Sequence, residues 1–572
     1  MTTLRQRITR ALDARSHRGV APGPHDIRIE RDLEVPMTDG TVLLADRIVP
    51  LEADATLPTI LIRGPYGRRG PLADAARMLA YEGYPVVFQS CRGTWGSAGT
   101  FTPQVDEQRD GIDTVRWLRA QPWFTGRLVM YGQSYMGYTQ WAVAGRLATE
   151  EPALAPDAHI MLITMPDFGA VTWDNGAFSL RNSLGWTRMM VRMRKGGLAL
   201  LGQALPDRRL ARAFDVLPLG AGDRAAAGET VHWYQDWLRH ESLADEYWTQ
   251  QSHTASVTDV TAPIAMVTGW YDIFLPWQLR SHRRLVAAGN APRLTLGPWG
   301  HVSPGLNAPA HLDTLDLLRS TFSDEPSTRA SLVRAFQTGA EAWHDLEEWP
   351  PADAVPQAWF LHPDGTFGTG SPRGGTTAYD YDPQEPTPAV GGPSLNPDSG
   401  PVDNAAHESR ADVAVFRGAT LAAPLDVAGE PVARIRVRAT APSVDVFVRL
   451  TDVHPDGRSM TVCDGIRRVG SVATAASDPE PDADGFREVE VRLWPTFHRF
   501  LPGHRVSVQV SSGAHPRYSR NPGTGERALT AEETVVAHVE LSHEGPHASR
   551  LELPVRDAAR DASGSPASGE GA

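Results

Sequence analysis

Cysteine is nearly missing from this 572-residue chain: Cys91 and Cys463 are the only two, and they stand far apart. Two distant thiols build neither a disulfide framework nor a cysteine-based zinc site. A reducing cytoplasm is therefore the expected location. Also missing is any stretch approaching the ~20 consecutive apolar residues that a membrane span needs. The start, Met1 to Val20, carries several Arg but no apolar stretch of signal-peptide length. A surface helix is the expectation there, ahead of a transit peptide. Runs of Lys or Arg are absent as well, and the formal charge is −13. A duplex-binding surface needs a clustered basic footprint, so neither nucleic acid nor a membrane is expected as a partner.

What is present is an ordinary globular composition, 41% hydrophobic and 22% charged. At roughly 150 residues per domain the length implies three or four units. From Asp32 to Pro50 two apolar runs flank Asp39-Gly40, a pattern for a hairpin closed by a tight type I′ turn. Thr59–Arg63, Tyr84–Phe88, Leu128–Tyr131 and Ile160–Thr164 are short apolar runs that predict buried strands. Between them lie helical patterns at Asp74–Tyr81 and Asp106–Ala120, the latter with Ile112, Val115 and Leu118 along one face. Strands alternating with helices at this spacing predict a doubly wound, mostly parallel α/β sheet over residues 1–166.

Residues 167–257 change character. They are rich in Arg, Trp and His, show helical stretches at Ser179–Arg194 and Ala211–Val216, and offer no clear strand, which predicts a helical cap inserted over the sheet. The sheet pattern resumes over 258–330, with strands at Ile264–Gly269 and Arg293–Leu296 around a helix at Pro276–Ala288. From 331 to 557 the alternation becomes period two, as in Arg434–Arg438, Val444–Leu450, Glu488–Leu493, Arg505–Val510 and Val535–Leu541. Many short strands separated by Gly-, Pro- and Asp-rich turns predict a C-terminal β-sandwich of jelly-roll type. Asp380–Asn404 reads as a long loop, and 558–572 as a disordered tail.

Three segments carry the chemistry. Ser134 stands in Val129-Met130-Tyr131-Gly132-Gln133-Ser134-Tyr135-Met136-Gly137, a short strand running into a helix. That is the setting of a nucleophile elbow, although the second glycine of the usual pattern is replaced by Met136. On this motif alone a buried structural Ser is an equal reading. Two further strands end in an acid and in a histidine: Ile264 to Asp272, and Leu294 to His301 through Gly297-Pro298-Trp299-Gly300. Ser, then Asp, then His is the chain order of α/β-hydrolases, whose sites lie at the carboxyl ends of strands. In such a triad His301 takes the Ser134 proton as general base, and Asp272 fixes the imidazole and stabilises its cation. The backbone N–H of Tyr135 is the expected first oxyanion donor.

With these motifs the chain resembles the cocaine esterase-like and X-prolyl dipeptidyl aminopeptidase family of serine α/β-hydrolases. The resemblance runs through Arg63-Gly64-Pro65-Tyr66-Gly67, Arg92-Gly93-Thr94-Trp95-Gly96-Ser97-Ala98-Gly99, the Ser134 elbow with its Gly137, and the Asp272 and His301 segments. His454-Pro455-Asp456-Gly457-Arg458-Ser459 and Gly503-His504-Arg505 are similar to segments of its jelly-roll domain. The resemblance implies that the Tyr66 hydroxyl supplies the second oxyanion donor. It also implies an acyl-enzyme mechanism without cofactor, acting on a small-molecule ester or related acyl substrate; a homo-oligomer stays open.

Family members that bind a free α-ammonium have acids just after the triad Asp, whereas Ile273-Phe274-Leu275-Pro276 follow here. An apolar or aromatic acyl group is therefore expected, with Phe274 and Trp186 as pocket lining. A cap acid such as Asp167, Asp174, Glu241, Asp245 or Glu246 is the competing anchor for an ammonium, and an X-prolyl dipeptidyl aminopeptidase or acylase is the competing activity. A non-catalytic binding protein built on the β-sandwich is a third reading. No metal is expected: His543-Glu544-Gly545-Pro546-His547 has zinc-protease spacing, but Gly545-Pro546 breaks the helix that would align the imidazoles.

Overall fold

The continuous apolar runs become strands buried on both faces, as a parallel sheet covered by helices requires. In the computed structural model, which describes residues 4–556 apart from 53, 55, 197–206 and 324, α1 (Leu4–Ser16) precedes the hairpin β1 (Ile27–Pro36) and β2 (Val42–Pro50). Then follow β3 (Thr59–Gly64), α2 (Asp74–Tyr81), β4 (Val86–Ser90), α3 (Glu107–Arg119), β5 (Leu128–Gln133), α4 (Tyr135–Glu150) and β6 (Ala158–Leu162). The tail expected from 558 lies outside the described residues. No helix among the described residues is long and apolar enough to cross a membrane.

The hairpin is confirmed but its turn differs from the expected type I′. Only Gly40 takes a positive φ, 83°, and its N–H donates to Met37 O while Met37 N–H donates to Thr41 O. This is a type I turn closed by a left-handed glycine, the three-residue loop that needs one such residue rather than two.

Over the cap region the chain forms α5 (Phe168–Thr172), the two-residue strands β7 (Trp173–Asp174) and β8 (Ala177–Phe178), α6 (Leu180–Lys195), α7 (Arg208–Ala213), α8 (Gly222–Ala227), α9 (His232–Arg239) and α10 (Glu246–Thr249). The helix expected at Ala211–Val216 begins earlier because Asp207 caps it, accepting from Leu210 N–H at 3.1 Å. The minimal β7–β8 ribbon is too short to leave a periodic pattern. Trp173, Phe178, Leu184, Trp233, Tyr234, Trp237 and Trp248 pack into a separate aromatic core.

The sheet resumes with β9 (Ile264–Tyr271), α11 (Leu275–Ala287), β10 (Arg293–Gly300) and α12 (Asn307–Phe322). Its spatial order is β1-β2-β4-β3-β5-β6-β9-β10, extended by β11 (Val333–Gln337) and β12 (Ala342–Leu346). Those last two strands correct the expected boundary at 331. Val333 to Ala335 pair with Leu294 to Leu296, so the α/β sheet continues to Leu346. An antiparallel hairpin at a sheet edge buries one face and exposes the other, and so shows the same period-two alternation as a sandwich.

Beyond it, thirteen strands from β13 (Val355–Leu361) to β25 (Arg550–Arg556) form the sandwich, with β19 (Val444–Val453) and β20 (Ser459–Val469) paired along one edge. One apolar cluster runs from Met266 and Leu294 of the α/β sheet through Trp349 into Val448 and Phe497 of the sandwich. Inside the sandwich, fully buried Asp464 accepts from Arg449 at 3.1 Å and from Arg517 at 2.5 Å, and Tyr518 beside it donates to Asp174 of the cap at 2.5 Å. Removing the shared carboxylate strands two buried cations. Asp464→Ala is expected to destabilise the protein by roughly 3–5 kcal/mol, read as a lowered urea midpoint.

Candidate active site

The strand-to-helix crossing after β5 leaves no room for side chains. A Cβ on Gly132 would lie 2.3 Å from Met136 O, and one on Gly137 would lie 2.5 Å from the Thr164 side chain. Between them Ser134 is held at φ 57°, ψ −126°, a conformation that costs of order 1–3 kcal/mol and lifts the side chain off the sheet. Its N–H donates to Leu162 O and Ile163 O, and its carbonyl accepts from Thr164 Oγ1 at 2.8 Å. Met136, in the usual place of a glycine, fits because Gly64 at the end of β3 leaves space over which its side chain lies.

β9 and β10 end side by side because Gly269 lacks a side chain: a Cβ there would meet Trp299 O of β10 at 2.2 Å. Gly300 instead makes room for Ser399, whose Oγ a Cβ would meet at 1.8 Å. β10 therefore extends through the Gly-Pro segment with a register shift between Gly297 and Gly300, rather than stopping at Leu296. Asp272 and His301 follow the two strands directly. Asp272, fully buried, accepts from Phe274 N–H at 2.8 Å, and its other oxygen lies 2.7 Å from His301 Nδ1. A carboxylate only accepts, so Nδ1 carries the proton and Nε2, 3.0 Å from Ser134 Oγ, is the acceptor. The three residues expected from sequence form one hydrogen-bonded chain.

Tyr66 reaches over Ser134 from the loop after β3. Its hydroxyl accepts from Trp186 Nε1 at 3.0 Å, and burial pushes the phenol up to about 12. Trp186 occupies the Tyr66 lone pair and leaves the phenolic proton free to point at the site, a part in addition to the lining role expected of it. Tyr135 is the first residue of α4, where no carbonyl one turn earlier takes its N–H. Its ring stacks on Trp186. Phe274 packs edge-on against the His301 ring, 5.1 Å between centroids.

A cavity of about 60 Å³ adjoins Ser134, lined by Tyr66, Gln104, Phe168, Val171, Thr172, Asn182, Ser183, Trp186, Trp237, Ile273, Phe274 and Leu395. No lining residue is charged. The cap acids are engaged elsewhere: Asp167 by Ala170 N–H and Ser252, Asp174 by Tyr518, Glu241 by Ala528 N–H, Asp245 by Tyr247 N–H and Glu246 by Gln250. Sequence reasoning did not find Gln104, Asn182, Trp237 or Leu395, which come from four separate stretches of chain and carry no motif.

The zinc-protease spacing closes no site, since buried His543 contacts Thr377 Oγ1 while exposed His547 contacts Glu488. Among the described residues Asp452, His454 and His504 are near enough together to hold a metal, but the Asp452 carboxylate already accepts from His504 Nδ1 at 2.8 Å and His498 Nε2 at 3.2 Å.

Gly137→Ala drives a methyl into Thr164, which holds the Ser134 carbonyl. It is expected to lose most hydrolytic activity while costing only about 1–3 kcal/mol of stability, a split read by steady-state kinetics beside thermal denaturation.

Comparison with known proteins covers nearly the whole chain. The family described as X-Pro dipeptidyl-peptidase (S15 family) matches residues 39–303, and the X-Pro dipeptidyl-peptidase C-terminal non-catalytic domain matches 321–552. Cocaine esterase of Rhodococcus sp. (strain MB1 Bresler) is 31% identical over 92% of this chain and 98% of that protein. The crystal structure of an aminopeptidase from the marine sediment archaeon Thaumarchaeota archaeon has a TM-score of 0.77 at 25% identity, over 94% of this chain and 97% of that one. An α-amino acid ester hydrolase shares the fold, with a TM-score of 0.76 at 22% identity over 94% of this chain and 98% of that one.

Proposed function

The chain belongs to the X-Pro dipeptidyl-peptidase (S15) family of serine hydrolases, and within it we propose a carboxylic ester hydrolase that works through an acyl-enzyme on Ser134. The observation that carries this reading is the Asp272–His301–Ser134 hydrogen-bonded chain opening onto a cavity with no charged lining. As Ser134 Oγ attacks the ester carbonyl, its proton passes to His301 Nε2, and the imidazolium is stabilised by Asp272. The oxyanion is met by the Tyr66 hydroxyl and the Tyr135 N–H, each donor contributing about 3–4 kcal/mol to the transition state. His301 returns the proton to the departing alcohol, and water repeats the sequence to release the acid.

The aromatic walls suit an apolar or aromatic acyl group. A peptide N-terminus carries an ammonium, which is costly to enclose without a carboxylate, and none lines the cavity. This favours an ester over the Xaa-Pro peptide that the family's name describes, and agrees with the ester named for the Rhodococcus relative. We place the protein in the cytoplasm, a reading supported by two cysteines that are both free and buried.

Wild type is expected to hydrolyse p-nitrophenyl acetate, butyrate and benzoate with a burst and to leave alanyl-prolyl p-nitroanilide intact. Ser134→Ala loses burst and turnover together. Cleavage of the anilide alone would move the protein to the peptidase reading, and a Ser134→Ala variant with full activity would remove the triad.

Deprotonation of Tyr66 removes an oxyanion donor, so activity falls as pH rises through its pKa. A free phenol, with a pKa near 10, would be half-ionised at pH 10. With Tyr66 raised to about 12, kcat is expected to hold through roughly pH 10. Tyr66→Phe lowers kcat about 10²–10³-fold and shows no such alkaline limb. A wild-type kcat that halves by pH 10 would contradict the raised Tyr66 pKa, and an alkaline limb kept unchanged in Tyr66→Phe would contradict the role of the phenol.

A further inference from the structure

The first residue of a helix has no carbonyl one turn back to hold its N–H. The oxyanion donor at Tyr135 must therefore be aimed by something other than helical hydrogen bonds, and the Tyr135 side chain supplies it. Its ring is fully buried. Trp186 stacks on that ring with an interplanar angle of 10°, and Tyr66 meets it edge-on with 6.4 Å between centroids. Two of the residues packed on this one ring are thus the second oxyanion donor and the tryptophan that bonds its hydroxyl.

The hydroxyl end of the ring is pinned. It accepts from Gln104 N–H at 2.8 Å and donates to Glu107 Oε1 at 2.9 Å. The other Glu107 oxygen accepts from Cys91 Sγ at 3.4 Å and lies 3.2 Å from Arg63 Nη2. Arg63 is fully buried in β3, shortly before the loop that carries Tyr66. It donates from Nε to Gln89 Oε1 at 2.7 Å and from Nη1 to the Glu107 carbonyl at 3.0 Å. Its own carbonyl accepts from Thr139 Oγ1 of α4 at 3.2 Å. A buried ion pair adds little net stability, because desolvation offsets most of its attraction. This one ties the start of α4 to the strand that leads to Tyr66.

We propose that Glu107, paired with Arg63, is a positioning residue that sets both oxyanion donors. Through the Tyr135 hydroxyl it fixes the first turn of α4, and through the Tyr135 ring it fixes Trp186 and Tyr66. An ionised carboxylate only accepts, so the hydroxyl donates to it and turns a lone pair to Gln104 N–H. Phenylalanine at 135 keeps the ring and the backbone N–H but loses both bonds. The inference rests on Tyr66 and Tyr135 as the oxyanion donors and goes beyond that assignment to what aims them. Misplacing a catalytic group by about 1 Å costs up to about 10²-fold in rate.

The test replaces the carbonyl oxygen of the substrate with sulfur. Sulfur accepts hydrogen bonds weakly, so a thionoester draws little from the oxyanion site in acylation or deacylation, while using the same nucleophile and base. kcat and KM are measured for p-nitrophenyl benzoate and p-nitrophenyl thionobenzoate in wild type, Tyr135→Phe, Glu107→Gln and Tyr66→Phe. In Tyr135→Phe we expect kcat for the oxygen ester to fall about tenfold, with KM and the thionoester kcat each within about twofold of wild type. Glu107→Gln is expected to lower the oxygen-to-sulfur ratio in the same direction. Tyr66→Phe removes a donor outright and sets the full size of the effect. An equal fall for both esters would mark a merely structural residue and overturn the proposal, as would unchanged kinetics or a rise in KM alone. Tyr135→Phe decides the matter if Glu107→Gln, which leaves Arg63 unpaired, fails to fold. Failure of the underlying reading shows separately. A wild-type oxygen-to-sulfur ratio in Tyr66→Phe would remove the oxyanion assignment, and a Ser134→Ala protein that still cleaves p-nitrophenyl acetate would remove the esterase.

Discussion

The site depends on how closely α4 crosses the end of β5. At that crossing the backbone of Met136 occupies the space a Gly132 side chain would take, and Thr164 occupies the space of a Gly137 side chain. The chain cannot relax outward, because Ser134 N–H is tied to Leu162 O and Ile163 O of the neighbouring strand segment. Ser134 is therefore kept in a backbone conformation that serine disfavours, with its hydroxyl above the carboxyl edge of the sheet. The same crossing starts α4 at Tyr135, directly after the serine.

Asp272 and His301 are brought to that point by a second close approach. Gly269 leaves room for the Trp299 carbonyl of β10, so β9 and β10 run side by side and the acid and the imidazole emerge next to one another. The imidazole is then fixed at Nδ1 by a fully buried carboxylate and enclosed by Phe274. On the opposite side, Trp186 of the cap holds the Tyr66 hydroxyl. The cap thus fixes the Tyr66 hydroxyl beside the nucleophile as well as covering the site.

The cavity draws on three parts of the chain: Ser134 and Phe274 from the α/β unit, Phe168, Trp186 and Trp237 from the cap, and Leu395 from the loop between the sandwich strands Thr376–Tyr381 and Val413–Gly418. Asn182 of the cap accepts from Leu395 N–H at 3.2 Å, which fixes that loop to the wall. The buried Asp464 cluster, with Tyr518 bonded to Asp174, locks the sandwich to the cap from behind. The sandwich therefore reaches the cavity directly through Leu395 and also through its connections to the cap.

Sequence by itself determined the α/β sheet, the helical cap, the β-rich C-terminal region, and the three residues of the Ser134–His301–Asp272 chain. These are legible because each is a local matter: buried strands are continuous apolar runs, helices repeat their apolar face every three or four residues, and a catalytic residue at a strand end sits among turn residues. Only the tertiary structure decided that the α/β sheet runs on to Leu346, since an edge hairpin and a sandwich strand show the same alternation. It alone set Trp186 against the Tyr66 hydroxyl and turned the five cap acids away from the cavity. It also brought Gln104, Asn182 and Leu395 to one cavity beside Ser134. Those outcomes depend on contacts between residues far apart in the chain, and such contacts leave no periodic or local mark in the sequence.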